Sequence, residues 1–168
     1  EYTTAANETS SQKEFECYAE KAIEYYSKAI ELAKKSSQTE LAVAYNGLAN
    51  LYHYLNQNEL ALKNANKALE LNISEYGYMH HEVAICYNTI ANIYSKLKNP
   101  EQSIKYLKNS IYIIQTLYGT VCNKLIISYW NLAQAQQNAN KNDDAICSIN
   151  RALDIISDIY GNTYYELD

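Results

Sequence analysis

The sequence predicts an all-α fold, a linear array of antiparallel helix hairpins, on three observations. Gly77, Gly119 and Gly161 stand 42 residues apart (119 − 77 = 42; 161 − 119 = 42), each directly after a tyrosine, Tyr76, Tyr118 and Tyr160. A fixed period of this size marks stacked supersecondary units rather than one globular core. Breakers are scarce, with four Gly and one Pro in 168 residues, which suits long helices joined by short turns. Inside each period the apolar residues recur at helical spacing.

The units align when the segments starting at Ala42, Ala84 and Ile126 are superposed and each start is counted as position one. Position four reads Tyr45, Tyr87, Tyr129; position seven Leu48, Ile90, Leu132; position eight Ala49, Ala91, Ala133; position eleven Tyr52, Tyr94, Gln136. These fall on one stripe of a leading helix. A second helix carries Ala61, Ser103, Ala145 at position 20, Ala65, Leu107, Ile149 at position 24, and Ala68, Ser110, Ala152 at position 27. Small residues at 8, 20 and 27 let two backbones approach, and large ones beside them fill the remaining space.

The turn inside each hairpin is placed near Asn56, Asn99 and Asn140, because Asn tolerates left-handed backbone. Pro100 after Asn99 reads as a cap followed by the first helical residue. The Tyr-Gly pairs end each second helix, with Gly expected in a left-handed cap. Seven helices are expected at about 11–35, 39–55, 58–75, 81–97, 100–117, 123–139 and 142–159. Residues 1–10 read as a flexible leader and 11–38 as a partial unit, with Ala22, Tyr26 and Ala29 at positions 20, 24 and 27. Repeats follow at 39–80, 81–122 and 123–161, and 162–168 read as the start of a further unit.

Composition excludes several classes. The net charge is −5 and no basic run stands out, which argues against nucleic acid. No apolar stretch is long enough for a membrane span, and the polar start cannot be a secretory core. Cys17, Cys86, Cys122 and Cys147 form no C-x-x-C pair, and read as small hydrophobes of a reduced, cytoplasmic protein. Sequons at Asn7 and Asn72 arise easily by chance in so Asn-rich a chain. Starting at Glu1 with Met79 its only methionine, the chain reads as a piece of a longer polypeptide.

Tyr45, Leu48, Ala49, Tyr52, Ala61 and Ala68 together resemble a tetratricopeptide repeat. The 42-residue period and the segment Tyr76-Gly77-Tyr78-Met79-His80-His81-Glu82-Val83-Ala84 are similar to the kinesin-light-chain type. The resemblance covers about residues 15 to 168. It implies a right-handed superhelix, an α-solenoid whose leading helices line a concave groove that binds peptides or protein segments. His81 stands where that type usually has Pro, Ala65 is small where position 24 is normally large, and Gln136 in place of an apolar residue at position 11 predicts that the last unit packs loosely or forms a boundary.

The groove face falls at positions 5, 9 and 12 of the leading helices. They read Asn46, Asn88, Trp130; Asn50, Asn92, Gln134; and His53, Ser95, Gln137, with Asn131 added at position 6. Amides carry donors and acceptors, so this ladder can pair with the main chain of an extended peptide. Trp130 and Tyr54 are the candidate anchors. Converging basic residues for a terminal carboxylate are absent. His53, His80 and His81 lack the companions of a metal site, no nucleophile motif or phosphate loop occurs, and no cofactor is expected. The expected function is non-catalytic: a module that holds a protein or peptide partner in its groove. The alternatives are an architectural segment of a larger multi-subunit scaffold, or the regulatory repeat domain of a larger enzyme. Neither end shows a polar cap, so both faces are expected to be covered, by further repeats, another molecule or self-association.

Overall fold

The computed structural model describes the backbone of residues 2–35 and 37–161, and side chains from residue 17 onward within those bounds. It contains α1 (Tyr2–Ala33), α2 (Gln38–Tyr54), α3 (Asn58–Tyr76), α4 (His81–Lys96), α5 (Pro100–Tyr118), α6 (Asn123–Asn138) and α7 (Asn142–Tyr160), with no strand among the described residues. The helices form a right-handed α-solenoid. α2–α3, α4–α5 and α6–α7 are hairpins, consecutive hairpins pack in chain order, and α2 touches α4 directly. α1 begins at Tyr2, so helical backbone runs through the segment read as a flexible leader. The expected further unit at 162–168 lies outside the described residues.

The small positions are buried as a set. Ala49, Ala91 and Ala133, then Ala61, Ser103 and Ala145, then Ala68, Ser110 and Ala152 are all buried. Ser110 keeps its hydroxyl satisfied by donating to the Ala84 carbonyl at 2.9 Å, as burial of a polar group requires. Leu48, Ile90 and Leu132 are buried beside them, whereas the rings of Tyr45, Tyr87 and Tyr129 are half-buried. Each leading helix also buries a second face against the preceding unit, including Ala44, Cys86, Ile93, Ser128 and Ala135. One stripe per helix was too few, because a middle unit of a stack has neighbours on two sides.

Departures from the repeat are compensated by a partner position. Small Ala65 shares a buried cluster with Ile93, and one unit further on large Leu107 shares a cluster with small Ala135. Volume moves between positions 24 and 10 of adjoining units and the density is kept. Gln136 does not loosen the last unit. It is buried and its amide lies 2.7 Å from Ser148 Oγ.

The repeated tyrosines close the open end of each hairpin. Tyr76 Oη lies 2.9 Å from Thr39 Oγ1, Tyr160 Oη donates to Asn123 Oδ1 at 3.2 Å, and the ring of Tyr118 meets His81 edge-on. Each tyrosine therefore meets the residue 37 positions earlier (76 − 39, 118 − 81 and 160 − 123), at the start of its own leading helix. The glycines that follow have positive φ, but ψ is close to 180° (Gly77 φ 76, ψ 176). That is not the left-handed helical conformation expected. It is the mirror-extended region, which is essentially confined to glycine. Left-handed residues sit instead in the turns inside the hairpins, at Asn56, Lys98 and Asn140. Asn99 is not one of them: its side chain caps α5 by accepting from the Gln102 amide, with Pro100 at the first turn.

Candidate binding surface

The leading helices α2, α4 and α6 carry all nine residues expected to face the groove. Asn46, Asn50, His53, Asn88 and Asn131 are half-buried, while Asn92, Trp130, Gln134 and Gln137 are exposed. Asn46 and Asn88 repeat the same environment one period apart. In both, the side-chain oxygen is shielded from solvent and accepts no hydrogen bond from the described residues. A buried acceptor without a donor is costly, and a matched pair of them is a property of position 5 rather than of one residue.

His53 is half-buried beside the ring of Tyr54, which is itself exposed. Burial lowers the imidazole pKa, Lys96 lowers it further, and the neighbouring Asn58 amide opposes both. His80 and His81 diverge. His80 caps α4 by accepting from the Glu82 amide and stacks on Tyr76, with ring centres 4.0 Å apart. His81 turns to the next unit, where its Nε2 lies 3.3 Å from Lys124 Nζ. Among the described residues no group of three His, Cys, Asp or Glu is placed to hold a metal. No helix is long and apolar enough to cross a membrane.

Trp130, Gln134 and Gln137 come together. They line a cavity of about 440 Å³ with Ala133 of α6 and Asn142, Ala145, Ile146 and Ile149 of α7. Trp130 also borders an apolar cavity of about 230 Å³ with Ile126, Ile127, Ile149, Ala152, Leu153 and Ile156. Both open on the outer face of the last hairpin. Asn131 lies at position 6, whose equivalents face the preceding helix: Gly47 lies against Tyr26 of α1, and Thr89 is buried. Of the isoleucines on this face, Ile149 was read in the sequence as a packing position and Ile146 was not read at all. Their signal was available in the period, since Ile104 and Leu107, 42 residues before Ile146 and Ile149, are covered by α6.

Asn72 is buried and donates to Cys86 Sγ at 3.3 Å, so its sequon is not an accessible acceptor. Burial pushes the Cys86 thiol up to about 11, with the Asn72 hydrogen bond acting the other way.

The hairpins, their small-residue seams and their stacking define a tetratricopeptide solenoid. The family model described as tetratricopeptide repeat matches residues 19–74 and 82–158, and the chain belongs to that family. BtubC (BKLC) from P. vanneervenii superposes with a TM-score of 0.79 at 21% identity, over 86% of this chain and 59% of that protein. This chain therefore spans less than two thirds of its length. A putative kinesin light chain of nearly identical repeats from Podosopora anserina gives a TM-score of 0.74 at 14% identity, over 90% of this chain and 73% of that one. MamA gives 0.56 at 16% identity, over 89% and 95% respectively. At these identities the likeness is one of fold. No curated protein matches in sequence.

Proposed function

We propose that the chain is a non-catalytic interaction module that holds an extended segment of another protein along α2, α4 and α6, with Asn46, Asn50, Asn88 and Asn92 pairing with the main chain of that segment. Tetratricopeptide repeats in general serve protein interaction, and the observation that supports this location is the matched pair Asn46 and Asn88. Their oxygens are turned inward in both units, so the donating ends of the amides are the groups left to meet carbonyl oxygens. Each such bond contributes only ~0.5–1.5 kcal/mol, so binding needs several at once. Four free thiols, one of them deeply buried, fit a reducing cytoplasmic setting.

A peptide display library panned against the chain tests the reading. Selected peptides should lose on the order of tenfold in affinity with Asn88→Ala, and more with Asn46→Ala added. They should tolerate Tyr112→Ala on the opposite, trailing helix. Selected peptides indifferent to both asparagines would refute it.

A further inference from the structure

We infer that a tyrosine-lined pocket of the middle repeat, between the α3–α4 loop and α5, takes a proline-bearing segment of another protein whose flanking residues are acidic. The site is separate from the asparagine ladder and does not depend on it.

The sequence departs from its own period here. The hairpins on either side carry an exposed ion pair on the trailing helix, Lys67 with Glu70 at 3.2 Å and Arg151 with Asp154 at 3.9 Å. The middle hairpin has Asn109 and Tyr112 at those positions (109 − 67 = 42; 154 − 112 = 42). An exposed pair adds little to stability, and Tyr112 is 64% exposed, so the exchange does not serve the core. A second departure accompanies it: Tyr78 and Met79 stand where the next loop has Thr120 and Val121. Tyr76 stacks on His80 across the α3–α4 loop, which leaves Tyr78 and Met79 at its tip. With Tyr87, Asn109, Tyr112 and Ile113 they line a cavity of about 210 Å³. Its floor is fixed, because Ile113 is buried and the ring of Tyr87 packs against Tyr106 at 5.7 Å.

The lining carries no charged side chain. Its polar groups are the hydroxyls of Tyr78 and Tyr112 and the Asn109 amide, and none of them hydrogen-bonds to another described residue. They are free to donate to carbonyl oxygens. A helix or strand spends its carbonyls on its own ladder, whereas a polyproline segment has no internal hydrogen bonds and turns its carbonyls outward. The pocket is also shallow, with Tyr78 66% exposed. A flexible segment would lose more in ordering than so small a contact returns, and a proline ring arrives with its φ already fixed. Aromatic-lined surfaces recognise proline-rich segments in this way.

Charge sets the flanks. Lys105 stands one turn before Asn109 and Lys108 one turn before Tyr112, and all four are exposed on the same side of α5. Glu101, the acid one turn before Lys105, is held by Lys141 at 2.9 Å. Neither Lys105 nor Lys108 has an ion-pair partner among the described residues. Acidic residues beside the proline would meet these two ammonium groups. The same lysines disfavour a cation among the tyrosine rings.

Met79 is the only methionine in the sequence, so an isotope-labelled methionine methyl reports on the pocket by NMR. Contact with one small pocket is too weak to survive the washes of library panning and is read in solution. The probe is a short synthetic proline-rich peptide flanked by aspartates. It should shift the Met79 methyl signal in a saturable way. Replacing its prolines by alanine should weaken binding on the order of tenfold, and replacing its aspartates by lysine should weaken it several-fold, with a difference that shrinks as salt rises. Asn109→Lys with Tyr112→Glu sets the residue types of the first hairpin at these positions, and should abolish the peptide-dependent shift with an unchanged thermal melt. Asn88→Ala should leave the shift as it is. A Met79 signal that does not move at high peptide concentration, equal affinity for the alanine or the lysine peptide, or a shift retained in the Asn109→Lys, Tyr112→Glu chain would each overturn the inference.

Discussion

Gln136 and Ser148 occupy, 42 residues later, the positions of Tyr94 and Tyr106 (136 − 94 = 42; 148 − 106 = 42). In the middle unit the two rings stack, with centres 5.6 Å apart and planes 10° from parallel. In the last unit the amide of Gln136 lies 2.7 Å from the Ser148 hydroxyl. With its nitrogen facing inward, the same amide reaches the carbonyls of Asp144 and Leu132 at 3.1 and 3.3 Å. An aromatic contact has been exchanged for a hydrogen-bonded pair at one point of the repeat. Ser148→Ala should therefore destabilise by about 1 kcal/mol, because it leaves a buried amide with one partner fewer. Gln136→Leu combined with Ser148→Ala should be nearly neutral, since both polar groups leave together. Thermal melts of the single and double variants give the comparison, and simple additivity would deny the coupling.

Gly47 answers to a ring in the preceding helix. A Cβ at this position would overlap the Tyr26 ring at Cε1, so the glycine makes room for the ring against α2, where Tyr26 packs on the cluster of Ile30, Ala44 and Leu48. Gly47→Ala should destabilise by about 1 kcal/mol, as overpacking costing ~1–3 kcal/mol outweighs the ~1 kcal/mol gained in helix propensity. In a Tyr26→Ala background the sign should reverse, because only the propensity gain is left. Denaturant melts of the four chains decide it; the same sign in both backgrounds would remove Tyr26 from the explanation.

Much of this was legible in the sequence. Six of the seven helices start and end within about two residues of expectation, because caps, turns and apolar period all point to the same boundaries. What stayed hidden needed a neighbour. Ile93 is a surface position on an isolated hairpin and becomes core only when the preceding unit stacks on it. Gln136 signals loose packing until Ser148 is seen beside it. Trp130 shares a period with Asn46 and Asn88, yet it borders two cavities lined by α6 and α7.

The left-handed turn residues give a third prediction. Asn56, Lys98 and Asn140 share φ values of 58°, 55° and 59°, and Lys lacks the local hydrogen bonding that eases this conformation for Asn. Lys98→Asn should stabilise by roughly 0.5–1 kcal/mol, a rise in Tm of about 1–4 °C. Asn140→Ala should lower stability by about 1 kcal/mol. If Lys98→Asn leaves the melt unchanged, lysine is already relieved at this turn by contacts of its own.

The cysteines separate by access. Cys17 and Cys147 are exposed, whereas Cys86 is buried under Asn72 with its thiol raised to about 11. The thiolate is the reactive species. An aromatic disulfide reagent at neutral pH should label Cys17 and Cys147 rapidly and Cys86 only as the chain unfolds. Peptide mapping of the labelled sites reads this directly, and early labelling of Cys86 would show that the α3–α4 joint opens in the native state.

Two histidines at the joints between units set the last prediction. Burial lowers the pKa of His53, with Lys96 adding to it, and burial followed by Lys124 lowers that of His81, with Glu82 opposing. A histidine whose folded pKa lies below its unfolded value of about 6.5 contributes nothing adverse above that pH. As pH falls through 6.5 the unfolded chain takes up the proton first, so stability declines until the folded-state pKa values are passed. Protonating His81 also places a second cation 3.3 Å from Lys124 Nζ. The Tm should therefore fall between pH 7.5 and pH 5.5, and His53→Gln with His81→Gln should flatten that slope while leaving the carboxylate-dependent loss at lower pH in place. An unaltered slope in the double variant would show that neither imidazole is held neutral by its joint.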